Sequence, residues 1–239
     1  MDLYNGDCLE ILKDLSDNSI DFICSDLPFG RLNQSWDKPI NLEKMWEQLW
    51  RVGKRNCPVF LFADFKFAVE LYTSQPEYFK YEIVWNKGQT TTPLMSKKRF
   101  GKATEYILAF YKNQTVYNYT KYHKIIEKQT PSIIKDGIYK WKGRDKTKKA
   151  NKYEPTLPIN VIKCKTKRKN KTIKKITEKP QMVLEHLLKY FSNENDVCLD
   201  FCMGSGSLGV ACKKLNRKFI GIEKNKEFFE ITKKRLTTI

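Results

Sequence analysis

Residues 196–207, with the sequence DVCLDFCMGSGS, decide the fold of this chain. The apolar run 196–201 predicts a buried strand, Gly204 and Gly206 predict a tight turn, and the apolar spacing over 208–215 predicts a helix. A strand, a glycine loop and a helix in this order are typical of a nucleotide-binding α/β sheet. Such a unit usually opens the sheet, yet here it stands near the end of the chain.

The strands that complete this sheet are predicted at the other end of the sequence. Strand-like runs at 20–25, 58–62, 81–85 and 105–111 are separated mainly by segments with helical spacing of apolar residues, and a further strand is predicted at 218–223. Strands that alternate with helices predict a mainly parallel sheet covered on both faces. The sequence therefore predicts an α/β protein with a circularly permuted, doubly wound fold.

A basic segment interrupts this pattern. From residue 112 to 175 the periodicity fades and lysines crowd in with interleaved aromatic residues. We therefore predict one domain in two halves, 1–111 and 176–239, with 112–175 as an insertion at its rim.

The composition favours a polyanionic partner. The chain has 239 residues, 41% of them hydrophobic, and a formal net charge of +18, which favours binding to phosphates. A lysine-rich proteome would explain only part of this excess.

The seven cysteines include no Cys-x-x-Cys pair, and there are only two histidines, so we predict reduced thiols, a cytoplasmic location and no bound metal. No apolar run predicts a membrane span.

The glycine loop leaves two cofactor classes open. Gly204 and Gly206 allow a ligand to approach the backbone closely, and Glu223, at the end of the next predicted strand, can accept the hydroxyls of a ribose. These features suit a dinucleotide as well as S-adenosylmethionine. Asp200, whose charge can pair with the amino group of a methionine moiety, favours the second.

The segment Asp26-Leu27-Pro28-Phe29 follows the first buried strand and suits chemistry on an amino group. An exocyclic amine on an aromatic ring is a weak nucleophile, and acceptors aimed at its hydrogens favour the form that attacks. The Asp26 carboxylate and the Leu27 carbonyl would be those acceptors. Pro28 stiffens the turn, and Phe29 would stack on a base turned out of its helix.

These two segments, in this order, resemble the β group of DNA amino-methyltransferases, as found in bacterial or phage modification methylases. The catalytic segment resembles their D-P-P-Y motif, Asp200 to Gly206 resembles their D-x-x-x-G-S-G loop, and residues 177–180 resemble their T-x-K-P element. The resemblance implies a Rossmann-like methyltransferase fold with a seven-stranded sheet and a target-recognition insertion. It also implies methyl transfer from S-adenosylmethionine to DNA, and an aspartate at position 26 favours adenine over cytosine.

The resemblance assigns roles to particular residues. The catalytic residues would be Asp26, Leu27, Pro28 and Phe29. Contacts to the cofactor would come from Asp7, Cys8, Asp26, Thr177, Lys179, Asp200, Phe201, Gly204, Ser205, Gly206 and Glu223. Contacts to double-stranded DNA would come from Lys97, Lys98, Arg99, Lys140, Arg144, Lys148, Lys149, Lys167 and Arg168.

Several alternatives stay open at this stage. Phe29 and Ile176 depart from the residues usual in the family, which leaves room for a catalytically impaired DNA-binding relative. Methylation of cytosine at N4 and a nicotinamide-dependent oxidoreductase are the other candidates. The resemblance also leaves open a second copy of the chain and a cognate restriction endonuclease as partners.

Overall fold

The computed structural model describes residues 1–30, 37–95, 97–129, 150–165 and 178–238. Its strands are β1 (Asp2–Asn5), β2 (Phe22–Ser25), β3 (Val59–Ala63), β4 (Phe79–Asn86), β5 (Thr104–Phe110), β6 (Lys124–Gln129), β7 (Ala150–Glu154), β8 (Val161–Lys163), β9 (Val197–Asp200) and β10 (Lys218–Glu223). Its helices are α1 (Cys8–Asp14), α2 (Leu42–Val52), α3 (Phe65–Ser74), α4 (Tyr119–Tyr122), α5 (Gln181–Phe191), α6 (Ser207–Lys214) and α7 (Lys226–Thr238).

Eight of these strands form one sheet in the order β1-β10-β9-β2-β3-β5-β4-β8. Only β5 runs antiparallel to its neighbours. The last strands of the chain lie between β1 and β2, with Phe22 opposite Cys198 and Ile23 opposite Leu199. The prediction of a permuted, mainly parallel sheet is confirmed.

The described sheet has eight strands, whereas the family resemblance implied seven. The additional strand is β8, which pairs parallel with β4 at the edge of the sheet, Val84 lying opposite Val161. Three residues of the predicted insertion thus belong to the sheet, because the backbone of β4 has an open edge with which they form hydrogen bonds.

Alternating apolar residues let one strand build both halves of the core. In β3, Phe60 and Phe62 face a cluster that includes Leu187 of α5 and Ala211 of α6. Val59 and Leu61 face the opposite cluster; its helical members, from α1, α2 and α3, include Leu12, Met45, Leu49, Phe67 and Leu71. All five β3 side chains are buried, as expected for a strand with helices on both of its faces.

Two aspartates start helices at the carboxyl edge of the sheet. Asp7 Oδ1 accepts from Leu9 N at 2.9 Å, and Asp64 Oδ1 accepts from Phe67 N at 3.0 Å. Side-chain acceptors of this kind satisfy backbone donors that have no partner within the helix. Both residues thereby fix the direction in which a helix leaves this edge.

The chain divides into two compact units, one of residues 1–117 and 160–239 and the other of Asn118–Ile159. The second unit contains α4 and the antiparallel pair β6–β7, in which Lys124 lies opposite Glu154. His123 Nδ1 and Pro155 O are 2.7 Å apart in this unit. Among the described residues, no helix has both the length and the apolar character needed to cross a membrane.

Candidate active site

A cavity of about 700 Å³ opens at the carboxyl ends of β2, β9 and β10. The carboxyl edge of a parallel sheet is where doubly wound proteins bind their ligands. Twelve of the sequence-predicted site residues line the cavity, namely Asp7, Cys8, Asp26, Leu27, Pro28, Phe29, Lys179, Asp200, Phe201, Gly204, Ser205 and Glu223. The two segments from opposite ends of the chain therefore meet in one site.

Asp26 is held by a chain of alternating charges. Its Oδ2 lies 2.8 Å from Lys179 Nζ, which also lies 2.7 Å from Glu105 Oε1. Glu105 Oε2 lies 2.6 Å from Lys87 Nζ. The side chains of Lys87, Lys179 and Glu105 are nearly buried. Lys179 Nζ also lies 4.9 Å from the centre of the Phe62 ring. One carboxylate oxygen of Asp26 is thus fixed from behind by a cation.

The two carboxylate oxygens of Asp26 have different surroundings. Oδ1 is buried and has no hydrogen-bond partner among the residues that the structure describes. A buried acceptor without a donor is unfavourable unless a ligand completes it. The structure therefore presents an acceptor at the cavity that is ready for an N–H group.

The surroundings shift the acids of this chain in opposite directions. Burial raises the pKa of Asp26, and the nearby Glu105 charge adds to this, while Lys179 opposes both. Burial would also raise the pKa of Glu105, but the ammonium groups of Lys179 and Lys87 outweigh it and hold that pKa below its usual value. Glu105 is therefore the firmly charged centre that keeps both lysines in place.

The remaining residues of the catalytic segment are fixed by apolar packing. Leu27 is buried in the core cluster that includes α1 and α2, which fixes the backbone after Asp26. The Phe29 ring lies 4.8 Å from the Phe67 ring, centre to centre, at an interplanar angle of 36°. Phe29 also lines the cavity and is half-buried, so its ring is supported on one side by α3.

Asp200 joins the two segments through a hydrogen bond to Ser25. Asp200 Oδ1 accepts from Ser25 Oγ at 2.6 Å and from Cys202 N at 3.2 Å. Burial raises the pKa of Asp200 to about 7, against the lowering effect of these two hydrogen bonds. The described residues form no ion pair with Asp200, and this carboxyl group therefore titrates near neutral pH.

Glu223 holds the glycine loop. Its Oε2 accepts from Gly204 N at 2.9 Å, and its Oε1 accepts from Asn225 N at 2.7 Å. Gly204 lines the cavity. Its φ of 48° lies in the left-handed region, which a residue with a side chain rarely adopts. Burial raises the pKa of Glu223. Each of its oxygens keeps a lone pair that is free to accept a hydroxyl group.

Gly206 does not line the cavity, although the sequence predicted that it contacts a ligand. It precedes α6 with a φ of 70°, and a Cβ at this position would lie 2.4 Å from Thr232 Cγ2 of α7. The residue is a glycine because of this close packing and the left-handed backbone. Its role in the structure is to let α7 approach the loop.

Asp7 and Cys8 line the cavity at the start of α1. Asp7 Oδ2 lies 2.9 Å from Lys224 Nζ, and this hydrogen bond is the main reason that the pKa of Asp7 is lowered. Cys8 is hydrogen-bonded to Cys202, which lowers the pKa of the Cys8 thiol and raises that of Cys202. The contact of Asp7 with the cofactor remains a prediction, since both of its oxygens already have partners.

The predicted DNA contacts fall into two groups. Lys97, Lys98 and Arg99 are exposed in the loop between β4 and β5 and do not line the cavity. The others, with the predicted cofactor residue Thr177, lie outside the described residues: Lys140, Arg144, Lys148, Lys149, Lys167 and Arg168.

Sequence reasoning missed the roles of Lys87, Glu105 and Ser25. Nothing in the sequence around Lys87 or Glu105 indicated which residues their side chains contact. An acid and a lysine on neighbouring antiparallel strands are a signal for an ion pair only once the pairing of β4 with β5 is known. Ser25 stands directly before Asp26, which was the available signal.

Comparison with known proteins finds similar methyltransferases. A type II methyltransferase of Lactococcus lactis subsp. cremoris, M2.LlaDCHI, is 30% identical to the chain over 98% of it and 88% of the relative. M.HpaI of Haemophilus parainfluenzae, also a type II methyltransferase, is 28% identical over 98% and 73%. The solved structure of a complex of M1.HpyAVI with S-adenosylmethionine is 25% identical, has a TM-score of 0.67 and is covered over 98% of both chains.

The family itself is shown by a match to the model of the DNA methylases, N6_N4_Mtase, over residues 20–234. The oxidoreductase alternative is thereby excluded. The predictions of a DNA methyltransferase of restriction–modification type and of S-adenosylmethionine as its cofactor are confirmed. The chain belongs to the DNA methylase family.

Proposed function

We propose that this DNA methyltransferase transfers a methyl group to the exocyclic amino group of an adenine that has been turned out of double-stranded DNA, and that Asp26 is its catalytic carboxylate. The observation that carries the proposal is the buried acceptor Asp26 Oδ1, which has no hydrogen-bond partner among the described residues. The other oxygen of the same carboxylate, Oδ2, is fixed by Lys179 Nζ at 2.8 Å. An amine hydrogen is the donor that Oδ1 lacks.

The cavity residues fit S-adenosylmethionine. The buried Asp200 carboxyl group can pair with a cationic amino group, and the free lone pairs of Glu223 can accept ribose hydroxyls. Phe201 and Phe228 supply apolar surface at the cavity for a flat ring. When bound, the cofactor supplies an electrophilic methyl group on a sulfonium centre. The residues above would hold it and exclude water.

The carboxylate of Asp26 would prepare the amine for attack. Its Oδ1 accepts one amine hydrogen, and the Leu27 carbonyl is the proposed acceptor for the other, which draws the nitrogen lone pair away from the ring. The Lys179–Glu105–Lys87 chain fixes Oδ2, so the carboxylate cannot turn away from the base. Preorganisation of this kind needs no covalent nucleophile.

Phe29 would stack on the extruded base. Its ring is supported by Phe67 at 4.8 Å and lines the cavity. A ring held on one side offers its other face at little cost in conformational entropy, which suits stacking on a base.

Adenine is the proposed base because the catalytic segment begins with aspartate. The resemblance to the family gives this preference, and methylation of cytosine N4 would use the same geometry. The test is transfer from labelled S-adenosylmethionine to unmethylated DNA of low GC content, with mass analysis of the nucleosides. Wild type, Asp26→Ala and the control Asp17→Ala, at an exposed aspartate that pairs with Arg51, are compared.

Each outcome decides between the candidates. N6-methyladenine from wild type and Asp17→Ala, with none from Asp26→Ala, is the expected result. N4-methylcytosine would overturn the base while keeping the mechanism. Cofactor binding without any methylated product would overturn the catalytic proposal and favour an impaired DNA-binding relative.

The other partners follow from the family resemblance. A homodimer and a cognate restriction endonuclease remain predictions, and sedimentation of the pure chain tests the first. DNA as substrate, together with seven free cysteines, supports a cytoplasmic location.

A further inference from the structure

The loop between β4 and β5 is a built hairpin. Beyond the sheet, Lys87 N donates to Ala103 O at 2.8 Å, and Thr91 N donates to Lys102 O at 2.7 Å. Lys102 N donates to Thr92 Oγ1 at 3.0 Å. These hydrogen bonds continue the two strands past the edge of the sheet and give the hairpin a defined stem.

The tip of this hairpin displays two large apolar side chains. Leu94 is 93% exposed and Phe100 is fully exposed, more than any other large apolar side chain in the described part of the chain. The tip is closed by a short 3₁₀ helix at Pro93–Met95, and Lys98 N and Arg99 N both donate to Met95 O, at 2.9 and 3.0 Å. Apolar groups presented to water on a closed turn indicate a surface that is covered by a partner.

The charge around the tip identifies the partner. Lys97, Lys98 and Arg99 are exposed between Leu94 and Phe100, and no acidic residue occurs from position 87 to 104. Cations next to apolar wedges match the phosphates and the stacked bases of a nucleic acid. A duplex with a gap in its base stack offers both kinds of surface at once.

The hairpin starts at the active site. β4 runs parallel to β2 and β3, so all three strands end at the same edge of the sheet. Lys87, at the base of the stem, contacts Glu105 at 2.6 Å, and Glu105 contacts the lysine that holds Asp26. The stem is therefore tied to the catalytic carboxylate through side chains that are nearly buried.

We propose that Leu94 and Phe100 occupy the space that the target nucleotide leaves in the duplex, while Lys97, Lys98 and Arg99 hold the phosphates beside it. This inference rests on the proposed function. Filling the gap restores apolar contacts for the neighbouring bases and so favours the extruded state, in which the base reaches Asp26.

The test compares two DNA substrates that differ only in the pairing of the target adenine. Its recognition sequence is first located by sequencing the DNA methylated by wild type. One duplex is fully paired, and the other has the target adenine opposite a mismatched base, which costs less to extrude. We expect the double variant Leu94→Ser/Phe100→Ser to lose about 10-fold or more of kcat/KM on the paired duplex and to regain most of it on the mismatched one.

The control variant is Val69→Ser, at an exposed aliphatic residue of α3 outside the hairpin, which should keep wild-type activity on both substrates. Unchanged activity of the double variant on paired DNA would overturn the inference. An equal loss on both duplexes would overturn it as well, because it would indicate a merely structural role. Failure of wild type to methylate any DNA in the first step, so that no recognition sequence can be located, would instead overturn the proposed function, and this inference with it.

Discussion

Asp26 and Asp200 stand at the ends of neighbouring parallel strands and face the same cavity, yet their partners differ in kind. Asp200 is satisfied by Ser25 and by Cys202, the second of which is only two residues away in the sequence. Asp26 is held by Lys179, which is itself held by Glu105, and one of its oxygens has no partner among the described residues.

This difference separates the proposed binding half of the site, around Asp200, from its proposed catalytic half, around Asp26. Around Asp200 the glycine loop and Glu223 supply hydrogen bonds locally, so the site is complete before a ligand arrives. Around Asp26, buried ion pairs fix one carboxylate oxygen, and the other, Oδ1, has no hydrogen-bond partner among the described residues. Buried charges are costly unless they are paired, which makes an arrangement of this kind more informative about chemistry than about stability.

The largest effect is expected from Asp26→Asn. The amide keeps the size of the side chain but removes the charge that Lys179 neutralises, and its NH₂ group opposes the amine hydrogens. We expect methyl transfer to fall by about 10²–10³-fold, as for the loss of one preorganised hydrogen-bonding group in an active site. Single-turnover transfer from labelled S-adenosylmethionine measures it, with Asp17→Asn as the control.

Cofactor binding separates the two halves in the same variant. The dissociation constant for S-adenosylmethionine should stay within about threefold of wild type, since Asp200 and Glu223 are unchanged. A variant that loses binding and transfer to the same extent would show that Asp26 belongs to the binding half, and the comparison would fail.

Much of this arrangement could be predicted from the sequence, and the limit lies at contacts between distant segments. The motif from Asp200 to Gly206 is local, so its strand, its turn and its helix follow from apolar spacing and from glycine. The pairing of Lys179 with Glu105 needs β5 beside β3 and β4, which no local pattern specifies. The packing role of Gly206 was missed for the same reason. Its closeness to Thr232 depends on how α7 packs, so the sequence alone predicted only a contact with a ligand.

A second prediction tests the support behind Asp26. Glu105→Gln leaves Lys87 and Lys179 without their common counter-charge, so Lys179 no longer holds Asp26 in one position. We expect kcat to fall by about 10- to 100-fold, the equivalent of one charged hydrogen bond, with little change in KM for S-adenosylmethionine.

The matched control is Glu185→Gln, which removes an ion pair with Lys214 of 2.8 Å outside the cavity. It should leave kcat unchanged. A rise in KM for the cofactor with an unchanged kcat in Glu105→Gln would instead assign Glu105 to binding.

A third prediction concerns the glycine loop of the binding half. Gly206→Ala and Gly88→Ala both place a side chain at a φ near 70°, but only at position 206 does the new Cβ meet another side chain at 2.4 Å, whereas at position 88 the nearest atom is 3.8 Å away. Backbone strain should cost both variants about 1–2 kcal/mol. Steric overlap should cost Gly206→Ala about 1–3 kcal/mol more in the free energy of unfolding, measured in urea.

Adding Thr232→Ser to Gly206→Ala separates the two costs. Serine lacks the Cγ2 methyl group but keeps the hydroxyl that donates to Gly204 O at 2.5 Å. We expect the double variant to recover most of the steric part. Equal destabilisation of the two alanine variants would contradict the packing role assigned to Gly206.

The last expected effect is a pH dependence to which Asp200 contributes. Burial raises the pKa of this carboxyl group from 3.8 to about 7, so the folded chain holds the proton more tightly than the unfolded chain. Its contribution to stability is therefore largest below pH 3.8 and is lost as the pH rises to about 7. Asp200→Asn should remove this decline from the free energy of unfolding measured without cofactor.

Cofactor affinity should change with pH in the opposite sense, because a cationic amino group binds the ionised carboxylate. With a pKa of about 7, the dissociation constant for S-adenosylmethionine should rise about tenfold between pH 8 and pH 6. Titration calorimetry should show weak, pH-independent binding for Asp200→Asn, and the wild-type dependence for Asp196→Asn, which lies before β9 and outside the cavity. The same pH dependence in wild type and Asp200→Asn would place the titrating group elsewhere and would contradict the pairing of Asp200 with the cationic amino group of the cofactor.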